Sequence, residues 1–373
     1  MMNPAPRIFH LVTKADLAGS QRYVLLCASR SPQDTIIGTG CDGPLVDEAR
    51  RLGCICEVIP GLSRGLNPLS ARQAVSGTID ALNRHGPDIV HTHTSNAGVI
   101  GRIASHYVGV PVVHTVHGWQ FAAGNSLSVR AISLATEWLM APLSDAVICV
   151  CNADAELARR LAFPCPGRLT VVLNAVCDRQ PQRIPGPRLR LGMAARFADQ
   201  KDQATLIAAM KKTWDVECHF WGDGPNLAIC REAAANVPHI YFHGEQRDIP
   251  SLLGGVDIMV LSTHYEGLPL CLLEGLAAGL PLIGTNVNGV PETICDGWNG
   301  RLVPARDADA LAKAIFLYQE HPELLVKHGA NSRQLFLERF CPGRFHAALD
   351  VIYSTAMARR GRRCRRGHNQ QAP

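Results

Sequence analysis

Short apolar runs recur along this chain, spaced so that one helix fits between each pair, and they form two series. The first series covers residues 7–12, 35–39, 55–60, 88–93, 111–116, 145–150 and 169–173; the second covers 189–194, 216–221, 240–243, 257–261, 281–285 and 300–303. Strands joined by helix-length crossovers pair in parallel. A parallel sheet is covered on both faces, so its strands read as continuous Val/Ile/Leu runs rather than alternating ones. The pattern predicts an α/β chain with two doubly wound parallel-sheet domains. Between the series, residues 178–187 hold three prolines and a glycine, which suit a linker. The predicted organisation is a first domain over 1–180, a second over 188–340, a helix over 341–358 returning to the first domain, and a basic, disordered tail over 359–373.

Of the 373 residues, 47% are hydrophobic and 18% charged, which excludes wholesale disorder and a small disulfide-stapled scaffold. No apolar run reaches the ~18–20 residues of a membrane-spanning helix. The best candidate, Leu127–Met140, is interrupted by Arg130 and Glu137. The first seven residues are followed only by the short apolar run 8–12, too brief for the core of a signal peptide. The 14 cysteines are scattered without a C-x-x-C pair, so a cytoplasmic protein with reduced thiols is expected. Cys149 and Cys151 read as small buried hydrophobes.

The formal net charge is +5; less the six arginines Arg359, Arg360, Arg362, Arg363, Arg365 and Arg366, the body is left at −1. Nucleic acid is therefore not an expected partner. The arginine run reads either as a solvated terminus or as a patch drawn to an anionic membrane surface.

Ligands of open parallel sheets bind beyond the carboxyl ends of the strands. After the predicted strand 257–261 comes a helix opened by Pro269, a residue suited to the first helical position, and closed by Gly279 and Pro281. Leu270, Cys271, Leu272, Leu273, Leu276 and Ala277 make this helix apolar all round, hence buried. Glu274 is its single charge and requires a partner. A structural hydrogen bond to a neighbouring loop would satisfy it. So would a ligand, because the turn from Gly267 through Leu268 and Pro269 to Leu270 starts a helix and is an anion site. Glu266 precedes that turn. An anion there would be flanked by two hydroxyl-accepting carboxylates, as a sugar–diphosphate–ribose ligand requires.

After strand 189–194 come Arg196 and Lys201. A lysine at a helix start opposes the helix dipole unless an anion joins it; on the residues alone, an exposed Lys beside Asp199 and Asp202 is the favoured account. No acidic metal motif stands in a catalytic context. Asp223, between Gly222 and Gly224, reads as part of a turn. His91, His93, His114 and His117 gather at two strand ends without a metal-ligating carboxylate or cysteine, so satisfied strand-end residues are expected rather than a metal site.

The pair Glu266 and Glu274 with seven residues between, enclosing Gly267-Leu268-Pro269, resembles the glutamate-pair motif of retaining nucleotide-sugar glycosyltransferases of the two-domain B fold, the group 1 or family 4 type. Ala278-Gly279-Leu280-Pro281, Gly289-Val290-Pro291-Glu292 and Gly297 with Gly300 resemble its continuation, and the likeness covers nearly the whole chain. The resemblance implies two Rossmann-like domains facing a cleft and no cofactor. It implies that Glu274 binds the nucleotide ribose, that Glu266 holds donor-sugar hydroxyls, and that Gly267, Leu268, Pro269 and Leu270 meet sugar and phosphate. It assigns Arg196 and Lys201 to the donor diphosphate, where they offset charge as the glycosidic bond breaks, in place of a metal. It sets His117 of the His117-Gly118 pair near the donor sugar and acceptor, and matches Gly19 to a phosphate-facing Gly-Gly loop whose second glycine is here Ser20.

Retention is likewise implied by the resemblance; no carboxylate is placed as a covalent nucleophile, so a same-face substitution is expected. His93, Ser95, Asn96, Trp119, Phe121 and Trp138 are further pocket candidates. With the arginine tail, the expected acceptor is a polyprenyl-diphosphate-linked oligosaccharide at the inner membrane face, as in bacterial surface polysaccharide synthesis. Rival readings are a nucleotide-sugar 2-epimerase of related fold and a non-catalytic nucleotide-sugar-binding protein. Gly38, Gly40 and Gly43 with Glu57 also fit a dinucleotide fingerprint, but the motif follows the second strand and Glu57 lies inside the next.

Overall fold

The computed structural model describes residues 5–65, 67–122, 126–165 and 167–369, with side chains to residue 360. The chain divides into two compact units, Met1–Val172 with Gly343–Pro373, and Leu173–Pro342.

The first unit runs β1 (Ile8–Val12), α1 (Gly19–Ala28), β2 (Thr35–Thr39), α2 (Pro44–Leu52), β3 (Ile55–Val58), α3 (Pro68–His85), β4 (Ile89–His93), α4 (Ser95–Val108), β5 (Val112–Val116), α5 (Leu127–Met140), β6 (Ala146–Cys149), α6 (Asn152–Arg160) and β7 (Leu169–Val171). Its strands are all parallel, in the order β3-β2-β1-β4-β5-β6-β7. β2, β4 and β5 are buried at every residue, as two covered faces require. Phe9, Leu11, Ile36 and Val90 pack against α3 and α4 on one face; Val12, Ile37, Leu45 and Val46 pack with α1 and α2 on the other. Cys149 and Cys151 are fully buried.

The second unit runs β8 (Leu189–Ala194), α7 (Gln203–Met210), β9 (Val216–Trp221), α8 (Leu227–Ala233), β10 (Ile240–Phe242), α9 (Ile249–Leu252), β11 (Ile258–Leu261), α10 (Leu270–Ala277), β12 (Leu282–Thr285), β13 (Gly300–Val303), α11 (Ala308–Glu320) and α12 (Glu323–Arg339). Its parallel sheet has the order β10-β9-β8-β11-β12-β13. A last helix, α13 (Pro342–Asn369), belongs almost wholly to the first unit. Among the described residues no helix is long and apolar enough to cross a membrane.

Two boundaries differ from the sequence expectation. The units part at Val172, ahead of the proline-rich segment, which lies along the second unit. There Asn174 Nδ2 donates to Leu268 O at 2.7 Å and Ile184 N to Gly254 O at 2.9 Å. Proline removes a donor but leaves carbonyls and intervening N–H groups to pair. The last helix also runs past the expected 341–358, since α13 continues to Asn369 through the arginine run. Arginine is a strong helix former, and glycines such as Gly361 cost only ~1 kcal/mol each.

In both sheets the strand order reverses beside the first strand, between β1 and β4 and between β8 and β11. Such switch points open crevices at the strand carboxyl ends, and the candidate residues cluster at both.

Candidate active site

In the second unit the two loops at the switch point are tied together. Thr263 Oγ1 lies 2.9 Å from Gln200 O, His264 N donates to Gln200 O at 2.8 Å, and Ser262 Oγ donates to Asp202 O at 2.9 Å. These bonds carry Lys201 onto the β11 loop, where its Nζ donates to Glu266 Oε1. Thr263 Oγ1 sits 3.0 Å from the same oxygen. Thr285 Oγ1, from β12, accepts from Thr263 N at 3.0 Å and donates to Thr263 O at 2.7 Å, fixing that residue. Asn288 Nδ2 donates to Glu266 O, and Asn174 holds the neighbouring Leu268 carbonyl.

Glu266 and Glu274 are each only 7% exposed. Burial pushes the Lys201 ammonium down, but the charge of Glu266, with Cys271 and the Glu266 hydrogen bond, carries it above its ordinary value. Burial pushes the Cys271 thiol up to about 12; Lys201 lowers it while Glu266 and Glu274 raise it, so one thiol senses all three charged groups. Lys201 and Glu266 thus meet directly, and Glu274 shares their field through Cys271. Arg196 stands on the same β8 loop with its side chain in solvent, while its carbonyl accepts from Gln203 Nε2 at 2.9 Å.

The turn through Gly267, Leu268, Pro269 and Leu270 opens α10. Pro269 is its N-cap in extended backbone, and Leu270, not Pro269, is the first helical residue. No side chain caps this end, so its first N–H groups are without the usual side-chain acceptor. Gly275, beside Glu274, lets α10 lie close on the sheet: a Cβ there would stand 2.9 Å from Met259 Cβ and Leu282 Cδ2. Sequence reasoning passed over Thr263, Asn174, Asn288 and Cys271. The apolar helix was the signal available for Cys271, but nothing local marks the others.

In the first unit a cavity of about 660 Å³ opens at the β1–β4 switch point, lined among others by Lys14, Ser20, Arg64, Ser95, Asn96 and His117. Ala18 and Ser20, on either side of Gly19, line it; Gly19 itself starts α1. Neither Gly19 nor Ser20 needs positive φ, so Ser20 meets no backbone conflict.

Behind the cavity the histidines divide by face. His10, His91 and His93 are fully buried together, with candidate ligand atoms all within 4.8 Å of one another. His10 Nδ1 and His93 Nε2 share a hydrogen bond at 3.0 Å; His93 Nδ1 and His117 Nε2 approach at 3.4 Å. His91 bonds Tyr353 OH and Thr115 Oγ1, each at 2.7 Å. His114 lies apart, on Thr92 Oγ1 at 2.9 Å and near Glu137. The grouping of His91, His93, His114 and His117 therefore breaks up, because strand alternation turns His114 to the other face, and His10 of β1 takes its place. Burial holds these rings neutral, bringing His10 to about 3 and His117 to about 4.

Trp119 and Phe121 line the cavity, though each is buried and stacked with Phe163, and Trp119 Nε1 is bonded to Asp154 O; Trp138 faces solvent and is not part of the lining. Asp223 caps its own turn through Gly224 N. The dinucleotide-like run is packing: a Cβ on Gly40 would lie 1.8 Å from Leu62 O, and Glu57 pairs with His85 and Arg84.

Residues 16–175 match the glycosyl transferase 4-like domain and residues 188–318 match glycosyl transferases group 1. The chain is 28% identical over 281 residues to the UDP-Gal:alpha-D-GlcNAc-diphosphoundecaprenol alpha-1,3-galactosyltransferase of Escherichia coli, covering 69% of this chain and 73% of that one. It is 30% identical over 295 residues to the putative glycosyltransferase EpsD of Bacillus subtilis, covering 72% and 77%. Anabaena Alr3699/HepE, solved with UDP and glucose, superposes with a TM-score of 0.84 at 17% identity over 94% of this chain and all of that one. With both sheets in Rossmann order and both halves matched, the chain belongs to the group 1 glycosyltransferases of the two-domain B fold.

Proposed function

We propose that this glycosyltransferase moves a hexosyl group from a nucleoside diphosphate sugar to a hydroxyl of a lipid-linked saccharide, with retention and without a metal. The observation that carries the reading is the Lys201–Glu266 contact at the β8–β11 switch point, beside the uncapped start of α10. Lys201 and Arg196 receive the diphosphate, and the first N–H groups of α10 point toward the same anion. Glu274 accepts from the ribose hydroxyls and Glu266 from the donor sugar, with Gly267, Leu268, Pro269 and Leu270 forming the floor and Gly19 facing the phosphates. As the anomeric bond breaks, Lys201 offsets charge on the leaving phosphate. That phosphate takes the acceptor proton on the same face, and His117, held neutral by burial, orients the sugar or acceptor.

The acceptor reading is supported by the diphosphoundecaprenol-linked substrate for which the Escherichia coli relative is named, and it implies work at the inner membrane face in surface polysaccharide synthesis. The arginines of α13 draw the chain to that surface. Thermal-shift titration with UDP-, GDP- and ADP-sugars identifies the donor. Transfer is then assayed with an N-acetylglucosaminyl-diphosphate-lipid, reading the product anomer by NMR. An inverted anomer, or binding without transfer to any lipid-linked saccharide, overturns the reading.

A further inference from the structure

Helix α5 reverses the usual arrangement of a surface helix, which turns an apolar stripe inward and its charges outward. Its two charged residues go inward instead. Glu137 is buried, with Oε2 accepting from Arg102 at 2.8 Å, and Arg130 Nε donates to Phe121 O at 2.9 Å. What faces solvent is uncharged and mostly apolar: Leu127, Trp138 and Leu139 are 78, 53 and 66% exposed, Ser128 is the polar exception, and Ile132, 67% exposed, also lines the cavity. Ala131 and Ala135 fill the spaces between them on the same side. Spacings near three and four residues keep this stripe on one side of the helix, about 18 Å long. Single exposed apolar side chains are ordinary, but a continuous stripe marks a surface that meets something. The 14 residues of α5 are too few to cross a bilayer, which leaves a helix lying in its interface.

Charge identifies the occupant. Arg359 donates to Asp145 O at 3.1 Å and Gly167 O at 2.7 Å, and Arg360 to Gly109 O at 3.3 Å. Asp145 follows α5 by five residues, and Gly109 caps α4 beside Tyr107, an aromatic 78% exposed. The basic end of α13 is thus fastened where α4 and α5 end, and the helix continues through Arg362, Arg363, Arg365 and Arg366. Apolar and aromatic groups along α5, with cationic groups where that helix ends, match the boundary of an anionic bilayer.

We infer that the outward face of α5 seats in the headgroup boundary of an anionic membrane, with the basic end of α13 at Arg359 and Arg360 beside it. This deepens the lipid-linked-acceptor reading and rests on it for its purpose: Ser133 and Thr136 of the same helix line the cavity of the first unit, so one helix borders both the lipid and the acceptor space.

The test uses the full chain and vesicles of phosphatidylcholine with or without phosphatidylglycerol. The wild type is expected to cosediment with the anionic vesicles. The Leu127→Glu/Leu139→Glu variant should lose more than tenfold in partitioning. It should keep its melting temperature and its turnover of a short-chain, water-soluble diphosphate-lipid acceptor. A control pair on the other unit, Ile229→Glu/Val326→Glu, should bind vesicles as wild type does. Wild-type binding by the α5 variant overturns the inference. So does a dimer that the α5 substitutions dissociate while vesicles are ignored, or a parallel loss of soluble-acceptor turnover. Vesicle binding without any sugar transfer sinks the functional reading and leaves this surface standing; transfer without vesicle binding does the opposite.

Discussion

Lys201 Nζ and Thr263 Oγ1 converge on one oxygen of Glu266, so in the proposed reaction the lysine assigned to the donor phosphate is held by the carboxylate assigned to the donor sugar. The pair is preorganised: Gln200, on the lysine's own turn, is bonded to the loop that carries the glutamate. A cation fixed before substrate arrives stabilises developing negative charge without reorganising. Lys201→Ala should therefore lower kcat by ~10²–10³. Glu266→Gln should cost a similar factor, and the double variant less than the product of the two, because each single change disables the same contact. Multiplicative losses in steady-state assays would refute a shared role.

Glu274 offers a different readout. It is buried in an otherwise apolar helix and raises the Cys271 thiol together with Glu266. A hydrogen bond to an ionised group contributes ~1.5–3 kcal/mol. Glu274→Gln keeps the shape and removes the charge, so the Kd for the nucleotide sugar should rise by ~10–100-fold by calorimetry. An unchanged Kd would reduce Glu274 to a structural residue.

In the first unit Arg102 is wholly buried between Gly98 O and Glu137, with Nη1 unpartnered among the described residues. Breaking a buried pair strands the remaining charge, at a cost of ~3–5 kcal/mol. Arg102→Met should lower the urea midpoint accordingly, and Arg102→Met/Glu137→Leu should recover much of the loss. A single variant as stable as wild type would mean that Glu137 is not held by this contact.

These relationships were unequally visible in the sequence. Parallel sheets leave a strong signature, continuous Val/Ile/Leu runs at helix-length spacing, so both sheets could be read in advance. Glu274 stood out because a lone charge in an apolar helix demands a partner. Thr263 and Asn174 did not, since their importance comes from loops that meet only after folding: Asn174 reaches Leu268, 94 positions away. His10 escaped notice for the same reason, being one strand end among several until β1 pairs with β4. The inward turn of Arg130 and Glu137 was also illegible. As charges they only interrupted an apolar run, whereas their buried partners leave the outer face of α5 bare of charge.

Metal removal gives a further check on the site. In the proposed reaction Arg196, Lys201 and the first turn of α10 supply the positive charge that meets the leaving diphosphate. Turnover should survive dialysis against EDTA within assay error. A loss restored by Mg²⁺ or Mn²⁺ would assign that charge to a bound cation and displace Lys201 from the central role.

Acid stability should be set by the buried histidines. His10, His91, His93, His114 and His117 all have folded-state values pushed below 6.5, first by burial, with neighbouring charges adding for His91, His93 and His114. In the unfolded chain each takes up a proton near pH ~6.5. Above that pH neither state is protonated, and the contribution to stability is fully present. As pH falls below ~6.5 the unfolded chain binds protons that the folded chain refuses, so stability is lost toward about 4 and about 3, where His117 and His10 titrate. Each group adds up to ~1.4 kcal/mol of slope per pH unit. The urea midpoint should accordingly be steep in pH between ~6.5 and ~4.5, a window above the ordinary carboxylate range. His114→Gln keeps a hydrogen-bonding group toward Thr92 and removes one titration, so it should flatten the curve by about one proton. A profile flat through that window would mean that these rings are not held neutral in the folded protein.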